Sequence, residues 1–221
     1  MGTGNGNALA VMLKAPEPGF VKTRLVPPLS FGQAALLYEC FIKDTFGKLA
    51  ALEGVDVFGA YTPAGAEDRI RGMAPGGTSF FPQEGADLGE RMLNVFMRLF
   101  GHGYKRAVII GSDIPDLPPG RVAEAFMALE AGVGLVLGPA DDGGYYLIGA
   151  DAPHEPLFRG IDWSTGRVLG QTMERARESG LRVRLLEAWH DIDDIKDLRL
   201  LKDSIEAPRS ARFIRDSGIS F

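Results

Sequence analysis

Arg106-Ala107-Val108-Ile109-Ile110-Gly111-Ser112-Asp113-Ile114-Pro115-Asp116 is the stretch that decides the fold. Its β-branched apolar run is too short for a helix and stops at Gly-Ser-Asp and a proline. That is the pattern of a fully buried parallel strand delivering a carboxylate to its C-terminal edge. In open α/β sheets ligands collect beyond those strand ends. Pro115 and Pro118 keep the chain after Asp113 from running straight into a helix. Asp113 is therefore the first candidate metal ligand. An ordinary helix-capping Asp is the competing reading.

Upstream, residues 8–14 read as the first buried strand, followed by Ala15-Pro16-Glu17-Pro18-Gly19-Phe20-Val21-Lys22-Thr23-Arg24-Leu25. Prolines and Gly19 stiffen this loop, while Lys14, Lys22 and Arg24 offer charge-assisted donors to an anion such as a polyphosphate. A solvated basic loop is the alternative. No glycine directly precedes Lys22, so this is not a P-loop. Gly2, Gly4 and Gly6 precede the first strand, where a dinucleotide fingerprint cannot lie. Residues 1–7 read as a disordered leader.

Ser30 and Gln33 form a capping box that opens a long helix to about Leu52. A strand over 55–61, a short helix over 66–73 and a strand over 78–81 continue the βαβ alternation. Gln83-Glu84-Gly85-Ala86-Asp87-Leu88-Gly89-Glu90-Arg91 then opens a helix to Phe100, with Asp87 as its cap. Gln83 and Arg91 are site candidates here, and the glycines allow close approach of a ligand.

Downstream, a helix over 120–131 and a strand over 133–138 lead into Asp141-Asp142-Gly143-Gly144-Tyr145, which presents acids at the mouth of the sheet. Asp-Gly is also a common hairpin turn. Trp163 would wall an acceptor pocket or pack before a helix cap, and Ser164 or Thr165 would cap a helix reaching Ser179. After a last strand over 182–187 comes Trp189-His190-Asp191-Ile192-Asp193-Asp194. In an extended segment Asp191 and Asp193 point to one side and Ile192 to the core, a pairing suited to a hard divalent cation. The alternative is that these acids serve the closing helix over 195–204, with Asp194 as its cap and Asp197 complementing its dipole. Residues 205–221 read as a peripheral helix and tail, packing on the body or on a partner subunit.

Bulk properties exclude several classes. With 221 residues, 45% hydrophobic and 24% charged, the chain suits one soluble domain. A net charge of −5 with dispersed Lys and Arg argues against nucleic-acid polymers and acidic membranes. No stretch approaches a membrane span and no signal peptide is present, which points to the cytoplasm. The single cysteine, Cys40, reads as a buried small hydrophobe, and the three histidines lack zinc spacing.

Taken together, the cationic loop, Gly111-Ser112-Asp113-Ile114-Pro115, Gly138-Pro139-Ala140-Asp141-Asp142-Gly143-Gly144-Tyr145 and His190-Asp191-Ile192-Asp193 resemble the nucleotide-diphospho-sugar transferase superfamily. More narrowly they resemble a bacterial glycosyltransferase-like family associated with radical-SAM proteins. The resemblance covers residues 8–204. It implies a single-domain GT-A (Rossmann-like) α/β fold, a three-layer sandwich with a mostly parallel sheet and helices on both faces. It further implies nucleotide-phosphate binding by Lys14, Lys22 and Arg24, with Asp113, Lys22 and Arg24 in the chemistry; the expected nucleotide site also takes in Pro16, Gly19, Gln83, Leu88, Gly89, Arg91 and Ser112. Magnesium or manganese would sit on Asp113, Asp191 and Asp193, and a small-molecule acceptor on Asp141, Asp142, Gly143, Gly144, Tyr145, Trp163 and Ser164. The donor is a nucleoside triphosphate or a nucleotide-diphospho-sugar, and a homodimer is an expectation.

Val21 to Leu25 is also similar to phospholactate guanylyltransferases, with molybdenum-cofactor guanylyltransferases more distant. Sugar-transferring GT-A enzymes carry Asp-x-Asp, whereas Gly111 and Asp113 occupy that spacing. The departure weighs toward nucleotidyl transfer and leaves glycosyl transfer as the alternative. A nucleotide-binding regulatory module without chemistry is the second alternative.

Overall fold

The computed structural model describes residues 6–219. Strands β1 (Asn7–Lys14), β2 (Val55–Thr62), β3 (Ser79–Pro82), β4 (Arg106–Gly111), β5 (Leu135–Pro139), β6 (Tyr145–Ala150) and β7 (Val183–Leu185) form one sheet in the order β3-β2-β1-β4-β6-β5-β7. All neighbours are parallel except β6, which runs antiparallel between β4 and β5. The Asp-Gly turn after β5 thus closes a hairpin, and this places the acid turn beside the end of β4.

Helices α1 (Phe31–Leu49), α2 (Glu67–Arg71), α3 (Leu88–Gly101), α4 (Pro119–Glu130), α5 (Val168–Glu178), α6 (Leu198–Leu201) and α7 (Pro208–Asp216) complete the chain. Alternation along the strands sorts the core onto both faces of the sheet. Leu9, Val11 and Leu13 join Val108 and Ile110 in packing with Phe41 of α1, Phe126 of α4 and Ile214 of α7. Ala8, Ala10, Ala107 and Ile109 join Phe96 of α3 and Ala176 of α5 on the other face. The α/β three-layer sandwich is the one anticipated.

The capping box forms as read: Gln33 N donates to Ser30 Oγ and Ser30 N donates to Gln33 Oε1. Other boundaries moved. Gly6 O accepts from Lys105 and Arg106 amides and Asn7 opens β1, so positions 6 and 7 of the expected leader belong to the fold, and positions 1–5 lie outside the described residues. Helix α5 starts at Val168 with no side-chain cap, because the Thr165 hydroxyl donates to Asp162 O and Ser164 takes a left-handed φ of 63°. The closing helix shrinks to Leu198–Leu201. Asp194 instead accepts from the amides of Lys196 and Asp197, and Asp197 accepts from those of Asp193 and Asp194. Cys40 is half-buried rather than buried. Among the described residues, no helix is long and apolar enough to cross a membrane.

Candidate functional site

A cavity of about 800 Å³ opens at the C-terminal ends of β1 and β4. Of the anticipated residues, Lys14, Lys22, Arg24, Gln83, Leu88, Arg91, Ser112, Asp113, Asp142, Gly144, Tyr145, Trp163, Ser164, Asp191 and Asp193 line it. Pro16, Gly19, Gly89, Asp141 and Gly143 do not. Lys14 and Asp193, 179 positions apart in sequence, thus reach one space because β1 and β4 are adjacent and the segment before α6 returns to their ends. The Ile192 amide donates to Asp113 O at 2.9 Å, and Ile192 itself is fully buried. The carboxylates of Asp191 and Asp193 flank it on the cavity side, as their spacing required.

Lys22 departs from the sequence expectation. Val21 and Leu25 are buried, and a left-handed φ of 47° at Lys22 turns its side chain inward. Its ammonium lies 2.5 Å from Asp113 Oδ1 and 3.1 Å from Asp193 Oδ1, and donates to Ile192 O at 2.6 Å. Its donors are committed to protein oxygens instead of facing solvent. Arg24 remains largely exposed, with Nη1 3.5 Å from Asp193 Oδ2.

Asp191 carries the opposite imbalance. Burial, then the negative charges of Asp113, Asp142 and Asp193, push its carboxyl up to about 7, against only partial relief from Lys22. A raised acid contributes stability that is complete below its unfolded pKa near 4 and is lost as pH climbs through 7. Allowing for partial exposure, that loss is on the order of 2 kcal/mol. Asp191→Asn is therefore expected to match wild type at pH 4 and exceed it in urea midpoint at pH 8. An unchanged difference between the two pH values would remove the charge imbalance assigned to this group.

Behind the acids lies a clasp that sequence reading missed. His190 Nε2 is 2.9 Å from Asp116 Oδ2, and Trp189 Nε1 donates to Asp116 Oδ1 at 3.4 Å. Trp189 N also donates to Pro139 O. These bonds fix the Asp191-bearing segment against the turns after β4 and β5. Lys48 reinforces the same turn through Pro115 O, and burial lowers its ammonium to about 8. On the β1 side, Tyr38 Oη meets Ser112 Oγ at 2.6 Å and accepts from Lys14 N, holding the two strand ends together. Asp-His spacing of 74 residues leaves no local signal, which is why His190 looked isolated.

The far wall is seated on glycines. A Cβ at Gly89 would lie 2.5 Å from the Trp163 indole. One at Gly143, whose φ is +87°, would lie 2.4 Å from Gly166 O. Gly89 and Gly143 therefore support the Trp163 loop without touching the cavity. Gln83 likewise has a bracing role, its Nε2 donating to Ala60 O and Leu13 O. Asp142 Oδ1 accepts from Gly144 N, fixing the acid turn, while Asp141 is exposed outside the cavity. Phe20, 74% exposed at the rim, was not anticipated.

In a Trp189→Phe background, Gly89→Ala is expected to shift Trp163 emission to the red and raise its quenching by acrylamide. The accompanying stability loss is about 1–3 kcal/mol, typical of overpacking. Unaltered emission would mean that the indole does not rest on Gly89.

Comparison with known proteins finds the same architecture elsewhere. A protein from Desulfovibrio desulfuricans G20, provisionally described as a nucleotide-diphospho-sugar transferase, is 34% identical, with 98% of this chain and 100% of that one covered at a TM-score of 0.84. CMP:2-keto-3-deoxy-manno-octonic acid synthetase complexed with CTP shares the fold at 11% identity, 95% and 99% coverage and a TM-score of 0.57. A Mycobacterium tuberculosis H37Rv protein in complex with manganese does so at 14% identity, 90% and 99% coverage and a TM-score of 0.50. No curated protein matches the chain in sequence. The architecture and the full-length relative define a member of the nucleotide-diphospho-sugar transferase superfamily. Within it, the chain belongs to the bacterial family described as "Uncharacterized protein conserved in bacteria (DUF2064)", whose profile matches residues 45–165.

Proposed function

We propose that the protein is a magnesium- or manganese-dependent transferase that takes a nucleotide donor into the cavity and moves its nucleotidyl group to a small acidic or phosphorylated acceptor. The observation that carries this reading is the meeting of the cationic loop after β1 with Asp113, Asp191 and Asp193 beyond β4. Magnesium is usually held by one or two carboxylates plus phosphate oxygens and water, without an all-protein cage. Among the described residues no group of three or more His, Cys, Asp and Glu side chains is arranged to hold a metal ion, so Asp113, Asp191 and Asp193 would hold one only with donor phosphates and water as further ligands. Asp191, meanwhile, sits in negative charge that Lys22 only partly compensates and that a further cation would relieve. The manganese of the similarly folded M. tuberculosis protein agrees with such an ion.

Bound there, the ion would neutralise charge on the donor phosphates. Arg24 and Lys14, which line the cavity, would hold the departing phosphates together with Arg91 from the first turn of α3. Leu88 and Ser112 complete this donor half. The acceptor would lie between the Asp142 turn, Tyr145 and the Trp163-Ser164 wall. Catalysis would then come from positioning and charge stabilisation, with no covalent nucleophile. Glycosyl transfer is the second reading, supported by the description of the Desulfovibrio relative. Gly111, where sugar-transferring relatives carry the first acid, favours the nucleotidyl reading.

The test is thermal shift with a panel of nucleoside triphosphates and nucleotide-sugars, with and without magnesium, since a ligand of the native state raises its stability by mass action. Magnesium-dependent stabilisation by one triphosphate, lost in Asp113→Ala, is the expected result and identifies the base. Stabilisation confined to a nucleotide-sugar would transfer the assignment to glycosyl transfer. Binding indifferent to both magnesium and Asp113 would mark a non-catalytic nucleotide binder, and no shift at all would overturn the donor site.

A further inference from the structure

Lys22 stands where the metal is wanted. An ammonium has three N–H donors. Here they meet three acceptors, Asp113 Oδ1, Asp193 Oδ1 and Ile192 O. The Lys22 side chain is only 4% exposed, whereas those of Asp113 and Asp193 are 45% and 49% exposed. The lysine thus approaches its carboxylates from the protein side, and their solvent side stays open to the cavity. The Nζ also lies 5.4 Å from the centre of the Phe41 ring, a favourable seat for a cation.

We infer that Lys22 is a built-in counter-cation that occupies the divalent-ion position in the empty protein and yields it when the metalled donor arrives. The inference rests on the assignment of Asp113 and Asp193 as metal ligands made above. A compact monovalent charge bridging the two carboxylates and a divalent ion bridging the same pair repel one another at that range, so the two occupancies exclude each other. A displaced ammonium needs new anionic partners, because a lysine charge left buried and unpaired is costly. Donor phosphates supply those partners within reach of the same loop. Metal and nucleotide therefore bind as a unit, and free divalent ion is held off. Buried Val21 and Leu25 anchor the backbone on either side, so the exchange needs only the Lys22 side chain to move.

The experiment measures manganese binding to metal-free protein by electron paramagnetic resonance, with no nucleotide present. Lys22→Met is expected to bind manganese at least tenfold more tightly than wild type, and adding Asp113→Asn to it is expected to abolish the gain. Equal or weaker binding by Lys22→Met overturns the inference. A folding failure of that variant is covered by acetylating wild-type protein and reading Lys22 by mass spectrometry. Labelling several-fold faster with manganese and inorganic pyrophosphate together than with neither supports displacement, and labelling unchanged by the pair overturns it. Neither readout involves nucleotide, so a failed triphosphate panel and a failed exchange are separable results.

Discussion

Asp113→Ala is expected to lower transfer by about 10³-fold or more, equivalent to roughly 4 kcal/mol at the transition state. Folding should barely change. The Asp113 side chain is 45% exposed, and its structural link to the Asp191 segment runs through its backbone carbonyl, which accepts from Ile192 N. Lys22 loses one acceptor of three and keeps Asp193 and Ile192 O. Asp113→Asn keeps an oxygen for Lys22 but lacks the charge for a metal, so its loss of activity should match that of the alanine variant. The measurement is pyrophosphate release alongside thermal unfolding. Activity within tenfold of wild type in a folded variant would take Asp113 out of the proposed metal site.

The contrast between Asp113 and Lys22 shows what a sequence discloses. Asp113 was legible because two local signals converge on it, an apolar strand that must be buried and a turn that must follow. Asp191 and Asp193 were legible because a period of two puts them on one side of an extended segment with Ile192 inward. Lys22 was legible only as a charge near an anion site. A lysine stem reaching inward from a left-handed backbone and meeting acids 91 and 171 residues away depends on packing. The clasp of Asp116 with His190 is hidden for the same reason. The shortened α6 is different: Asp194 and Asp197 cap one another's backbone instead of a long helix, a local alternative that these residues always offer. The antiparallel β6 was readable as a hairpin from Asp-Gly, although the expected βαβ alternation alone would have missed it.

Asp44→Ala is expected to cost about 3–5 kcal/mol, the range for breaking a buried, hydrogen-bonded charge. At 2–4 °C per kcal/mol for a chain of this size, the melting temperature should fall by about 10 °C. The Asp44 side chain is wholly buried in α1. Its oxygens accept from the amides of Arg209 and Ser210 and from Ser210 Oγ, the last at 2.7 Å. These amides belong to the first turn of α7, which has no side-chain cap of its own because Ala207 stands at that position. A carboxylate from another helix thus does the work of an N-cap and meets the positive end of the α7 dipole. Arg209→Ala should cost under about 1 kcal/mol, since that guanidinium is mostly exposed. The pair of variants separates the cap from the ion pair. A loss near 1 kcal/mol in Asp44→Ala would mean that α7 is dispensable to the fold. A loss of the expected size means that Ala207, Ala211 and Ile214 complete the core under α1. In that case the helix carrying Tyr38 and Phe41, which brace Ser112 and Lys22, is held from behind by the end of the chain.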